Sequence, residues 1–263
     1  MIVETTNTLV AAAASLFSVT FSPEVRTAYV SRGKVIDDRP IQVNSLRADM
    51  KLGAEAQFGR IGAWHWGYNA LTPRVNCAED QFAAEFDWGA YYHYDLELAD
   101  GWSLGNEIMP DWIIMPSADP VFEWRVSQSL KNPYVVPFWL MRRDQPSSRN
   151  CYFNVGLMKP ISFRTASADW LKPLVITPMA MVEFGNSSLM TARYGRQESG
   201  GAVPTGLQAI DFELRADYAV TEHFGVYVSI LQFDLLNPKA RRQSHKPNCR
   251  DITVFAVGVK LSF

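Results

Sequence analysis

The feature that most limits what this chain can become is a hydropathy period of two, carried through most of its length. It is sharpest in AAEFDWGAYYHYDLEL, residues 83–98. One side carries Glu85, Asp87, Gly89, Tyr91, His93, Asp95 and Glu97; the other carries Phe86, Trp88, Ala90, Tyr92, Tyr94, Leu96 and Leu98. A helix would mix these sets, whereas a strand, with side chains on alternate faces, separates them. The same separation occurs at 45–52, where Arg47, Asp49 and Lys51 alternate with Leu46, Ala48, Met50 and Leu52. At 122–129, Glu123 and Arg125 alternate with Phe122, Trp124 and Val126. At 210–218, Asp211, Glu213, Arg215 and Asp217 alternate with Ile210, Phe212, Leu214, Ala216 and Tyr218.

Less regular period-two segments at 24–36, 58–70, 101–115, 133–144, 151–163, 172–185 and 223–236, with 251–263 at the end, bring the expected count to about twelve strands. Pro137, Pro160 and Pro178 fall inside three of these segments, where each removes a ladder donor. Short links at 53–57, 99–101, 130–133 and 221–223 alternate with longer polar ones at 72–81, 143–151, 187–205 and 237–249. Two links break the alternation: 37–40 is short where a long one is due, and 164–172 is long where a short one is due. Neither a composition shift nor an internal repeat divides the chain, so one domain is expected.

About twelve half-apolar strands can bury their greasy faces in a sandwich or soluble barrel, or turn them outward to lipid. The type of residue separates these options. Trp, Tyr and Phe are concentrated on the apolar faces, and the opposite faces mix charge with Gly, Ala and Ser. Small residues beside opposite charges suit a curved, crowded interior, and aromatics on a lipid-facing surface collect at the headgroup levels. Closing the sheet pairs every backbone donor and acceptor, which hydrocarbon requires. No run of 18 apolar residues is available for a spanning helix. The expected fold is therefore all-β: a transmembrane antiparallel β-barrel over 23–263, preceded by a segment, 1–22, packed on or in it. The apolar part of that segment, TLVAAAASLFSVTF at 8–21, reads as a plug or a residual export signal; no Lys or Arg precedes it, and the first basic residue is Arg26.

The end of the chain, DITVFAVGVKLSF, sharpens this expectation. Phe255, Val257, Val259, Leu261 and Phe263 form one apolar face that closes on an aromatic carboxy-terminal residue. This segment resembles the last strand of bacterial outer-membrane β-barrel proteins, and the resemblance implies recognition of that end by the barrel-assembly machinery. A shorter likeness lies at Tyr29, Val30, Arg32 and Gly33, followed by Gly62, Trp64 and Trp66. It resembles the opening of an uncharacterised Gram-negative barrel family that pairs a Y-V-x-R-G strand with an aromatic-glycine strand.

In such a barrel the polar faces line the lumen. The expected lining comprises Arg47, Asp49, Lys51, Glu85, Asp87, His93, Asp95, Glu97, Glu123, Arg125, Asp211, Glu213, Arg215, Asp217 and Lys260, with Glu107, Asp111 and Glu183 adding to the acids. Buried charges must pair or stay hydrated. Pairing across strands would give a closed salt-bridge network, whereas a water-filled lumen with excess carboxylates would favour cations. The working function is a passive or weakly cation-selective channel for small polar solutes. The alternative is a non-conducting structural or adhesion barrel that anchors a partner.

A lipid-modifying enzyme is a weaker reading, because no local motif places a serine beside His93, and i,i+2 carboxylate pairs follow from strand period alone. No metal or cofactor is indicated, since Cys77, Cys151 and Cys249 form no C-x-x-C and join no histidine cluster. All three would fall on the outer side, where one disulfide can form. The formal net charge of -2 gives no nucleic-acid signal. Lys239, Arg241, Arg242, Lys246 and Arg250, with His245, form an outer basic loop suited to lipopolysaccharide phosphates.

Overall fold

The computed structural model describes residues 16–31, 34–72, 84–115, 119–145, 149–194, 205–243 and 251–263. Its barrel strands are β1 (Phe17–Arg26), β4 (Ile41–Lys51), β5 (Arg60–Ala70), β6 (Ala84–Ala99), β7 (Trp102–Ile114), β8 (Val121–Lys131), β9 (Val136–Gln145), β10 (Cys151–Met158), β12 (Leu174–Gly185), β13 (Gly206–Ala219), β14 (Phe224–Leu235) and β15 (Asp251–Ser262). Each pairs antiparallel with the next. The ring closes where β1 pairs with both β4 and β15 and where β10 pairs with β12. Two short strands, β2 (Tyr29–Ser31) and β3 (Lys34–Asp37), form a separate hairpin, and β11 (Ile161–Ser162) adds to the end of β12. Two short helices, α1 (Ser187–Tyr194) and α2 (Pro238–Gln243), follow β12 and β14.

The period-two pattern resolves into an outside and an inside. Trp88 is 52% exposed and Phe212 47%, whereas Asp111 and Glu123 are fully buried. A soluble β-protein would have the reverse arrangement. With every strand edge paired and an apolar outer face, the cylinder meets both demands of a bilayer. The links at one end are 52–59, 100–101, 132–135, 159–173 and 220–223, all short except 159–173, which carries β11. The other end carries four of the five longest links, 27–40, 71–83, 186–205 and 236–250, so by the usual asymmetry of such barrels it is read as the outer end and the short-turn end as the periplasmic one.

The first strand differs from the sequence expectation. Residues 17–22, assigned there to a preceding segment, are the start of β1, which shifts the barrel boundary from 23 to 17. The stretch 24–36, expected as one spanning strand, is the end of β1 followed by the hairpin. The physical reason lies in FSVTFSPEVR itself, which alternates Phe17, Val19, Phe21, Pro23 and Val25 with Ser18, Thr20, Ser22, Glu24 and Arg26. It makes a full strand against β4, while the ladder to β15 lapses at Ser22 and Pro23, where proline offers no donor. The apparently short link at 37–40 is thus the tail of a long outer link, 27–40, that folds into the hairpin. The Tyr29–Val30 part of the likeness to the Gram-negative family falls in that hairpin rather than in a spanning strand. Residues 1–15, with any plug or signal role, lie outside the described residues.

The hairpin holds the apolar packing inside the barrel, at the outer end. Val30 and Val35 meet Met190 of α1, Ala209 of β13, Phe233 and Leu235 of β14 and Ala240 of α2. Tyr29 and Ile36 meet Ile41, Val43, Trp66 and Tyr68 on β4 and β5. The buried Asp37 fixes its exit by accepting from Arg39 Nε at 2.8 Å and Nη2 at 2.6 Å, while Arg39 Nη1 donates to the Thr72 carbonyl at 2.8 Å. Asp37 also raises the proton affinity of the Arg39 guanidinium above its ordinary value.

Candidate functional site in the barrel lumen

Strand register places the charged side chains in two groups. The first is a network on β4–β9. Arg125 of β8 donates from Nε to Glu123 at 3.0 Å and from Nη2 to Asp87 at 3.1 Å, and it pairs with Asp111 on the neighbouring strand. Its guanidinium also lies over the Trp64 ring, 4.5 Å from the centroid. Toward the periplasmic end, Arg47 donates to Glu107 at 2.6 Å and covers the Tyr91 ring at 3.7 Å. His93 lies between Asp95, 3.3 Å from Nε2, and Glu107, 3.6 Å from Nδ1. Lys131 donates to Asp95 at 2.6 Å, and Arg60 donates to Asp49 at 3.4 Å. Arg47, Asp95, Lys131 and Arg60 are part-exposed, so each surface-facing pair contributes less than the Arg125 cluster.

The second group lies on β10 and β12–β15. Tyr152 donates to Glu183, and Asp211 and Glu213 project from β13 beside Met181 and Met179 of β12. Arg215 turns to Asp217, donating from Nε and Nη2 at 2.8–3.1 Å, and covers the Tyr227 ring at 3.9 Å. Ser229, Ala256 and Gly258 keep this wall shallow. A Cβ at Gly258 would meet the Tyr227 ring, so the glycine is what lets that ring lie flat.

Every residue expected to line the lumen lies on the inward register, and they do not form one site. Lys51, Glu97 and Lys260 stand near the periplasmic ends of their strands, and Glu85 accepts from Tyr29 of the hairpin at 3.4 Å near the outer end. Between these levels, a cavity of ≈ 320 Å³ lies beneath the hairpin, bounded by Tyr29, Trp64, Trp66, Glu183, Asp211 and Glu213 among others. A second, of ≈ 480 Å³, opens at the periplasmic mouth beside Arg60, His93, Asp95 and Glu97.

Sequence reasoning missed the inward aromatics. In RIGAWHWGYNA, residues Trp64, Trp66 and Tyr68 face the lumen, and His65 faces outward, stacked on Trp88 with centroids 4.2 Å apart. The usable signal was Gly89. It is the register partner of Trp64, and a Cβ there would collide with the indole. Arg142 and Asp144 of β9 and Tyr152 of β10 were also missed, since their strands alternate poorly.

The outer basic loop is only partly described. Arg241 forms a two-point pair with Asp251 at 2.7 and 2.8 Å and donates to the Leu235 carbonyl at 2.6 Å, so it is committed within the chain. The side chains of Lys239 and Arg242, and residues Lys246 and Arg250, lie outside the described residues. So do Cys77 and Cys249. Cys151, at the outer end of β10, is a free thiol among the described residues. The last strand turns Phe255 and Val257 outward. Phe263 follows it, exchanging two 2.9 Å backbone hydrogen bonds with Val19 and stacking on His223.

Solved structures share this architecture. The COG4313 outer membrane channel from Pseudomonas putida F1 matches with a TM-score of 0.58 at 8% identity, over 94% of this chain and 96% of that one. The shared fold is a closed antiparallel barrel of the kind that outer-membrane channels adopt. LpxR from Salmonella typhimurium matches with a TM-score of 0.52 at 9% identity, over 92% of this chain and 99% of that one. A KdgM porin matches with a TM-score of 0.49 at 11% identity, over 94% and 99%. No protein-family profile matches the chain, and no curated protein matches it significantly in sequence. At such identities the likeness concerns the barrel alone.

Proposed function

We propose that the barrel is a passive, weakly cation-selective channel for small polar solutes. The observation that carries this reading is the imbalance of the buried lumen. Asp87, Asp111, Glu123, Asp144, Glu183 and Asp211 are each less than a tenth exposed, and Arg125 and Arg142 are the cations at their level. The same excess of acids extends to groups that border open space, Glu213 on the cavity wall and Asp95 and Glu97 at the periplasmic mouth, and ionised carboxylates beside water raise the local cation concentration and repel anions. The cavity at this level and the one at the periplasmic mouth supply the space. Among the described residues, His65, His93 and His223 make no hydrogen bond or ion pair with a serine side chain, so the reading assigns no acyl-transfer chemistry.

Planar-bilayer recording under a KCl gradient tests the proposal. Discrete conductance steps with a reversal potential on the K⁺ side are expected. Anion-side reversal refutes the selectivity, and a folded but silent protein refutes the channel. One observation favours a second reading, a non-conducting structural barrel: the β2–β3 hairpin packs across the outer mouth. Replacing residues 29–37 by a Gly-Ser linker distinguishes the two. Conductance should rise at least threefold if the hairpin narrows a passage, and stay absent if the interior is closed throughout.

A further inference from the structure

The ion-pair network leaves one wall of the cavity beneath the hairpin uncompensated. Along β13 the inward residues run Asp211, Glu213, Arg215, Asp217, and Arg215 is directed down to Asp217. Among the described residues neither Asp211 nor Glu213 forms an ion pair. Asp211 is 4% exposed, and its Oδ1 has no hydrogen-bond partner. Its register neighbours are Met181 and Phe233; those of Glu213 are Met179 and Leu231. Asp211 also faces the Glu183 carboxyl, and buried carboxylates gathered in this way are unfavourable unless a proton or a bound cation offsets their charge. Across the cavity stand Tyr29 and Trp66, with ring centroids 5.1 Å apart, and such faces attract cations.

We propose that this cavity binds small organic ammonium ions. The ammonium lies at Asp211 and Glu213, and the hydrocarbon body lies against Trp66 and Tyr29. The inference rests on the reading of the lumen as a solute path and names the class of solute held there. At ≈ 320 Å³ the space is at the small end of ligand pockets. Rings and methionine sulfur suit a weakly hydrated cation with an apolar body better than a hydrated metal ion. No group of His, Cys, Asp or Glu able to hold a metal ion occurs among the described residues.

The test is calorimetric titration of the whole protein, folded in detergent, with phenethylammonium chloride, using 2-phenylethanol as the neutral match in shape. Saturable binding of the ammonium is expected, with the alcohol at least tenfold weaker. D211N/E213Q should weaken ammonium binding at least tenfold, and D95N, at the periplasmic mouth, should leave it unchanged. Trp66→Leu provides an independent variant on the opposite wall and should also weaken it severalfold. Equal affinity for the alcohol, or unchanged affinity in D211N/E213Q and Trp66→Leu, overturns the proposal. KCl conductance of the same preparation separates the two claims. A conducting protein without ammonium binding refutes this inference alone, whereas a silent protein that binds ammonium refutes the channel and supports the site.

Discussion

Arg125→Met tests the lumen electrostatics most directly. Arg125 is the shared partner of Asp87, Asp111 and Glu123; its side chain is 14% exposed, and theirs are 6%, 0% and 0%. Methionine keeps much of the volume and removes the charge. Breaking a buried ion pair from one side costs about 3–5 kcal/mol. An independent route gives a similar figure. The cluster can relieve itself by taking up a proton, and at pH 7 that costs an aspartate of ordinary pKa 3.9 about 4 kcal/mol. At pH 5 the same protonation costs only about 1.5 kcal/mol, because the unfolded carboxylate is then closer to its own pKa. The folded variant holds more protons than the unfolded one, so its deficit should shrink as pH falls.

Urea unfolding from lipid vesicles, followed by tryptophan emission, measures this. The expected loss is about 4 kcal/mol at pH 7 and clearly less at pH 5. Arg47→Met removes a 42% exposed guanidinium from Glu107, and solvent screening should hold its cost to about 1 kcal/mol or less. Adding D111N and E123Q to Arg125→Met should recover most of the deficit. If Arg125→Met lies within about 1 kcal/mol of the parent, or costs no more than Arg47→Met, the three carboxylates are solvated rather than paired, and the network description fails.

Two further outcomes follow from sidedness and from the chain end. Phe212 faces outward at mid-strand with 47% exposure, so Phe212→Arg should cost about 2–4 kcal/mol in the same vesicle assay, while Phe212→Leu costs under about 1; equal effects would place Phe212 away from hydrocarbon. Phe263→Ala should lower the amount of heat-modifiable, folded protein in the outer membrane of an expressing Gram-negative host without lowering stability in vesicles by more than about 1 kcal/mol; unchanged membrane levels would mean that the terminal ring is not the part read during assembly.

The barrel was legible because lipid and lumen demand opposite polarities on alternate residues, and β4 from Ser45, β6, β8 and β13 from Ile210 meet that demand with few exceptions. Where the alternation failed, one face carried residues suited to both environments. On β5, Trp64 and Trp66 would sit as well in a headgroup layer as in the lumen. Register with Gly89 and Asp87 decides between the two, and register is a property of the neighbouring strand. β1 was obscured differently. Its apolar face continues the run at 8–16, so the start of the strand carries no boundary, and Pro23 argues against a strand that only its β15 side loses. The hairpin was hidden by its length, since two strands of three and four residues cannot carry a periodic signal.

The sequence reading posed a salt-bridged lumen and a water-filled one as alternatives, yet the distribution of bases around the ring allows both at once. Arg47, Lys51, Arg60, Arg125, Lys131 and Arg142 all lie on β4–β9, and on β12–β15 the inward bases are Arg215 and Lys260. Acids are spread more evenly, so the first wall ties its side chains together across strands while the second leaves Asp211 and Glu213 unmatched above shallow residues. On the proposed channel reading, the ion-paired wall facing a shallow, acidic one directs the route along β12–β15 rather than down the axis. The hairpin sets Val30 and Val35 on the outer end of that same wall, against Phe233 and Leu235, and holds its other face to β4 and β5 through Tyr29 and Ile36. On that reading, entry from outside requires loosening an apolar contact of a few side chains and leaves the Arg125 cluster intact.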